Sequence, residues 1–212
     1  MKMRDASTEH LSDRFVSQLD GLVAFLAVAN KDVFEVVEGH YKDWAGVELP
    51  RTSGLFEAQV NNSAFLLGYS YWEAFLADVV REVYTARPQM LPKDRRVKNR
   101  DLLGCKDYEA VLQLMIEAEV REVFFKGIEG IQEYCEKRLN LHWAEVDEFK
   151  KASLIRNCLM HNMGQANKDL AEVSAWVKGE DIILKAAHVH AFGLKGRQFA
   201  KDLYRQVKEQ IG

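Results

Sequence analysis

From Leu55 to Arg87 the chain contains no proline, and Val60, Ala64, Leu67, Gly68, Tyr71, Trp72, Phe75, Leu76, Val79, Val80 and Val83 recur along it at helical spacing. Apolar residues three and four apart share one face of an α-helix. At 1.5 Å per residue such a segment is a rod of about 45 Å. Together these residues form a wide apolar stripe. Gly68 inside the stripe costs about 1 kcal/mol of helix propensity relative to alanine and points to close packing there. Pro88 and Pro92 end the rod, because proline lacks an amide donor and crowds the preceding turn.

The rest of the chain reads as helix nearly throughout. Ser7, Thr8 and Glu9 offer N-cap chemistry for a first helix, followed by Leu11, Phe15, Leu19, Leu22, Val23, Phe25 and Leu26 at helical intervals. A second piece covers Lys31 to Trp44, and Gly46 to Gly54 is a loop around Pro50. Lys93 to Arg100 is a basic connector. Tyr108 to Arg138 holds one or two helices, broken near Gly127 and Gly130. Trp143 to His161 is a helix stopped by Asn162 and Gly164. Apolar segments around Lys178-Gly179-Glu180-Asp181 read as a short β-hairpin or as two loop segments. A last helix begins at Val189 or Lys195 and ends near Gln210, with Phe199, Leu203, Val207 and Ile211 four apart. The expected fold is an all-α bundle of four to six helices with that short insertion before the last one. With 3 Pro and 13 Gly in 212 residues, an all-β or loop-rich chain is disfavoured. No repeat and no long linker divides the sequence, so residues 1–212 are expected to form a single domain, with 1–50 as a helical extension packed on it.

The formal net charge of −3 gives no global sign of nucleic-acid binding, although a local patch can act on an acidic protein. Cys105, Cys135 and Cys158 are odd in number and contain no CxxC pair. A disulfide framework or cysteine-rich metal site is disfavoured, and a reducing cytoplasm fits. The N-terminal MKMRDASTEHLSDRF lacks the apolar region of a secretory signal, and no apolar run reaches the roughly 20 residues of a membrane span. No GxSxG, Walker A loop or GxGxxG occurs, so no cofactor is expected.

The segment Leu154-Ile155-Arg156-Asn157-Cys158-Leu159-Met160-His161-Asn162-Met163-Gly164 carries more information. On a helix, Ala152, Ile155, Cys158, Leu159 and Met163 cluster on the side that must face the core. Asn157 and His161, four apart, share the opposite face, and Arg156 lies on the flank. Leu154 and Met160 join that outer face, so it is half apolar and fits a partner surface or a symmetry mate. Arginine is a permanent, planar phosphate ligand, histidine exchanges a proton near neutral pH, and asparagine orients a substrate oxygen or the imidazole. Together they suffice for metal-free RNA cleavage: a 2′-hydroxyl attacks the adjacent phosphate, His161 moves a proton and Arg156 stabilises the phosphorane. The bland alternative is an exposed Arg and His near a helix end.

Arg156-Asn157-x-x-x-His161, followed by Asn162 and Gly164, resembles the RNxxxH signature of the HEPN superfamily, in its stand-alone RiboL-PSP-HEPN form. Asn62-Ser63-Ala64, the YSYWEAF stretch from Tyr69 to Phe75 and LADVVREVY from Leu76 to Tyr84 are similar to that branch's long helix. The resemblance covers Leu55 to the C-terminus. It implies a homodimeric, metal-independent endoribonuclease. Arg156 and His161 of two copies would form a composite site, with Asn157 as the polar residue after the arginine. It also implies a toxin or antiviral defence role and an antitoxin or nucleotidyltransferase as a possible partner. Some family members are non-catalytic interaction modules, which is the alternative reading.

RNA phosphates could lie along Lys150 and Lys151, which precede the motif, or along Arg197, Lys201 and Arg205 on the last helix. Arg95, Arg96, Lys98 and Arg100 form a further basic cluster. Each run also reads as a solvated face, since acidic residues are interspersed. His188 and His190 would share a face on a strand and could form a metal pair, but no third ligand accompanies them, and a structural or exposed role is favoured. Tyr69, Tyr71, Trp72 and Phe75 could stack bases but at helical spacing read as core.

Overall fold

The computed structural model describes residues 11–22, 53–94, 96–144, 146–173, 177–178 and 181–211. The expected N-cap at Ser7 to Glu9, the segment Lys31–Trp44 and most of the loop before residue 53 lie outside them. The described elements are α1 (11–22), α2 (Ser53–Ala86), a 3-10 turn (Pro88–Met90), α3 (Asn99–Leu103), α4 (Tyr108–Phe125), α5 (Gly127–Leu139), α6 (Val146–His161), α7 (Lys168–Val173), β1 (Val177–Lys178), β2 (Asp181–Ile182) and α8 (Ala186–Ile211). The described residues are all-α apart from one hairpin. Among the described residues the helices outnumber the expected four to six, because α3 and α7, of five and six residues, are too short to leave a periodic signature.

The chain groups into two compact units. The first takes the described residues of Met1–Asp13, Trp72–Lys150 and Gln198–Gly212; the second takes those of Arg14–Tyr71 and Lys151–Arg197. The divisions fall inside helices, where no shift of composition marks them.

The first unit is centred on an aromatic cluster. Trp72 and Phe149 stack at 4.6 Å with an interplanar angle of 8°, and Phe149 and Phe199 meet at 4.7 Å. Trp143 stands edge-on to Trp72 and Phe199 at 5.7 and 5.2 Å. Such pairs add about 0.5–1.5 kcal/mol each beyond their buried area. Trp143 belongs to the segment before α6 rather than to its first turn. Asp107 caps α4 by accepting the Ala110 amide at 2.8 Å. The break after α4 comes at Gly127, with φ of 71°, while Gly130 continues α5. Arg81 forks onto Glu117 at 2.6 and 3.0 Å and also reaches Asp78 at 2.8 Å. The Glu117 bond raises Arg81 above its usual range, and Arg81 in turn holds the Glu117 carboxyl below the ordinary carboxylate range.

In the second unit Phe65 meets Phe192 at 5.1 Å, and Phe15, Leu19 and Leu22 of α1 are buried. A Cβ on Gly68 would stand 3.1 Å from Leu22 Cδ2, which is the close packing its place in the stripe foretold. Leu67, expected in that stripe, is instead 44% exposed, and Phe65 is buried. Helix α8 starts at Ala186, earlier than expected. The hairpin is present, with Val177 opposite Ile182 and Lys178 opposite Asp181, so two residues form the connection.

Candidate functional site

Helix α6 brings the RNxxxH residues to its last turns. Ala152, Ile155 and Cys158 are buried, as their spacing requires, and Leu159 is half-buried. Met163 corrects the expectation: it is 99% exposed rather than core. The helix ends at His161, and Met163 has left-handed φ of 54°, so helical periodicity no longer governs its direction. Gly164 follows with φ of 83°, and its amide and that of Asn162 both donate to the Cys158 carbonyl, at 3.2 and 3.0 Å. The Ile182 amide donates to the Gly164 carbonyl at 3.0 Å, so the hairpin braces this cap.

On the outer face Asn157 and His161 are exposed and Arg156 is half-buried. The Arg156 Nη1 donates to Asn157 Oδ1 at 3.0 Å. That bond restricts a long side chain near the imidazole's face. Met160, 54% exposed, sits among these polar groups, with Leu154 half-buried. An arginine, an amide and an imidazole around exposed methionines can bind an anion, move a proton and seat an apolar partner.

The other expected phosphate contacts are mostly engaged within the fold. In the second unit Arg197 Nη2 reaches both Asp20 oxygens at 2.7 Å, and Lys151 is half-buried. In the first unit Lys150 pairs with Glu129 at 3.2 Å and Arg205 with Asp202 at 3.1 Å, while Lys201 is exposed. Arg96, Lys98 and Arg100 are exposed, and Arg95 lies outside the described residues.

His188 and His190 lie in the first turns of α8, not on a strand, so they do not share a face. His188 Nδ1 accepts the Lys185 amide at 3.2 Å, which makes it a helix cap. Among the described residues no three His, Cys, Asp or Glu side chains are placed to hold a metal. No described helix is long and apolar enough to cross a membrane. Cys105, Cys135 and Cys158 are free thiols, and burial pushes Cys135 up to about 12.

Sequence reasoning missed a buried acid in the first unit. Glu119 is 2% exposed and accepts the Tyr134 hydroxyl at 2.6 Å; the Tyr134 and Tyr84 hydroxyls also share a hydrogen bond. Burial raises both phenols, with Tyr134 held well above the usual range. The signal lay in α4, where Glu119 falls on the face carrying Ile116, Val120 and Val123.

Compared with models of known families, with curated proteins and with solved structures, the chain matches none of them.

Proposed function

We propose that this chain is a metal-independent endoribonuclease of HEPN type that works as a homodimer, in a toxin or antiviral defence role. The observation that carries the reading is the common outward end of α6 for Arg156, Asn157 and His161, with Arg156 hydrogen-bonded to Asn157. Two copies supply two arginines and two imidazoles to one RNA strand, around an apolar seat of Leu154, Met160 and Met163. The 2′-hydroxyl loses its proton to an imidazole and bonds to the adjacent phosphorus, and the phosphorus–5′-oxygen bond breaks. The departing oxygen takes a proton from the other imidazole. Arg156 stabilises the added charge on the phosphorane oxygens. The products carry 2′,3′-cyclic phosphate and 5′-hydroxyl ends.

The test is cleavage of a mixed-sequence RNA in excess EDTA by the native chain, His161→Ala and Arg156→Ala, each checked for folding. The native chain is expected to cleave, and each variant to lose about 10²–10⁴ of the rate. A native chain that is inert, or that needs added divalent metal, overturns the reading. The exposure of Met160 and Met163 also favours a second reading, a non-catalytic interaction module. There Arg156 pairs with a carboxylate of a protein partner, such as an antitoxin or nucleotidyltransferase, that covers His161. An inert native chain whose His161 becomes protected in the complex would establish it.

A further inference from the structure

In the first unit the Pro88–Met90 turn and the last turn of α5 frame a groove of about 530 Å³. That lies within the roughly 300–1,000 Å³ of small-molecule sites. Its wall is apolar at buried Leu91 and half-buried Met90, with the exposed Gln89 amide beside them. Its rim carries Lys93, Lys137 and Arg138 against one carboxylate, Asp94. Lys137 is shared with Glu133 at 2.6 Å, so Lys93 and Arg138 carry most of the uncompensated charge.

The Arg138 charge opposes the upward shift that burial gives the Tyr84 phenol. Tyr84 is bonded to Tyr134, and Tyr134 donates to buried Glu119 at 2.6 Å. A simple internal ion pair would set the arginine directly against the carboxylate. Here Glu119 accepts from Tyr134 instead, and the exposed guanidinium remains on the groove wall. The negative end of the α5 dipole accounts for cations in its last turn. It does not account for Lys93, which lines the same groove from outside α5.

We propose that this groove binds a nucleoside 5′-monophosphate, with the phosphate on Arg138, Lys93 and Lys137 and the base against Met90. A guanidinium fork matches a phosphate bidentately, and two lysines complete the balance for a group of charge near −2. The polarisable thioether of Met90 suits an aromatic base, and Gln89 offers both a donor and an acceptor to its edge. Asp94 accepts from the ribose hydroxyls. This site goes beyond the ribonuclease reading and does not depend on His161.

Calorimetric titration of the native chain with AMP, GMP, CMP, UMP, adenosine and inorganic phosphate tests the proposal. At least one monophosphate is expected to bind with Kd below about 1 mM, and about tenfold tighter than phosphate or adenosine. Arg138→Gln and Lys93→Gln, both at exposed positions, should each weaken it about tenfold with the circular dichroism unchanged. His161→Ala should bind as the native chain does, which separates this result from the cleavage assay. No binding by any monophosphate, equal binding of inorganic phosphate, or affinity unchanged in both Arg138→Gln and Lys93→Gln would overturn the assignment.

Discussion

The two ends of α6 are built by different physics. At its start Phe149 is buried, stacked on Trp72 and tilted against Phe199. At its finish Arg156, Asn157, Met160 and His161 face outward, and what orders them is a backbone cap at Asn162 to Gly164 and one side-chain hydrogen bond. Buried aromatic area stabilises strongly and tolerates little change. An exposed hydrogen bond contributes little to folding but sets where a functional group points. One end therefore specifies the fold, and the other is open to chemistry at small cost in stability.

Breaking the buried end should give the largest effect. Phe149→Ala removes the ring between Trp72 and Phe199 and is expected to cost about 3–5 kcal/mol. For a chain of this size that lowers the Tm by about 10 °C. Thermal unfolding followed by circular dichroism reads it directly; a fall of less than about 3 °C would show that the cluster contributes little. Asn61→Ala comes next. Asn61 is fully buried, and its Nδ2 donates to the Leu184 carbonyl at 3.0 Å, while its Oδ1 has no hydrogen-bond partner among the described residues. Leaving Leu184 unpaired costs about 1–3 kcal/mol, toward the low end because the unpartnered oxygen goes too. Denaturant titration should show a lower midpoint with an unchanged slope.

The open end can be sharpened by separating its scaffold from its chemistry. Gly164→Ala places a Cβ on a residue with φ of 83°, and the cap should lose about 1 kcal/mol. Leu159 Cδ2, the nearest atom, stands 3.9 Å away, so the penalty is conformational rather than steric. Arg156→Ala and His161→Ala should stay within about 0.5 kcal/mol of the native chain. A Tm loss for His161→Ala as large as that for Gly164→Ala would mean that the imidazole is structural after all.

The same division explains what was legible in the sequence. The α2 stripe apart from Leu67 and the outward placement of Asn157 and His161 follow from local periodicity, the hairpin around Lys178 to Asp181 follows from its turn residues, and the structure has them. Met163 was misread because a periodic argument was carried past the residue where the helix stops. Gly164 marked that stop, but its cap turns the chain one residue earlier, at Met163. The groove beside Arg138 was illegible for another reason. Tyr84, Glu119 and Tyr134 are brought together by tertiary packing across three helices, and no spacing in the sequence encodes a hydrogen bond between them.

The smallest effect concerns pH, and it follows from the start of α8. His188 accepts the Lys185 amide through Nδ1, a role that requires the neutral ring. Burial and then the nearby Lys185 charge lower its pKa below the ordinary 6.5, against a backbone bond to Ile183 that raises it. The unfolded chain therefore binds the proton more readily than the folded one. The cap's contribution is complete above pH 6.5 and declines as pH falls below that value toward the folded pKa. His188→Asn keeps a short side-chain acceptor but does not titrate in this range. Chemical denaturation at several pH values from neutral down to about 5 should show the native midpoint falling more steeply than that of His188→Asn. Equal slopes would mean that the ring takes up its proton without losing the cap.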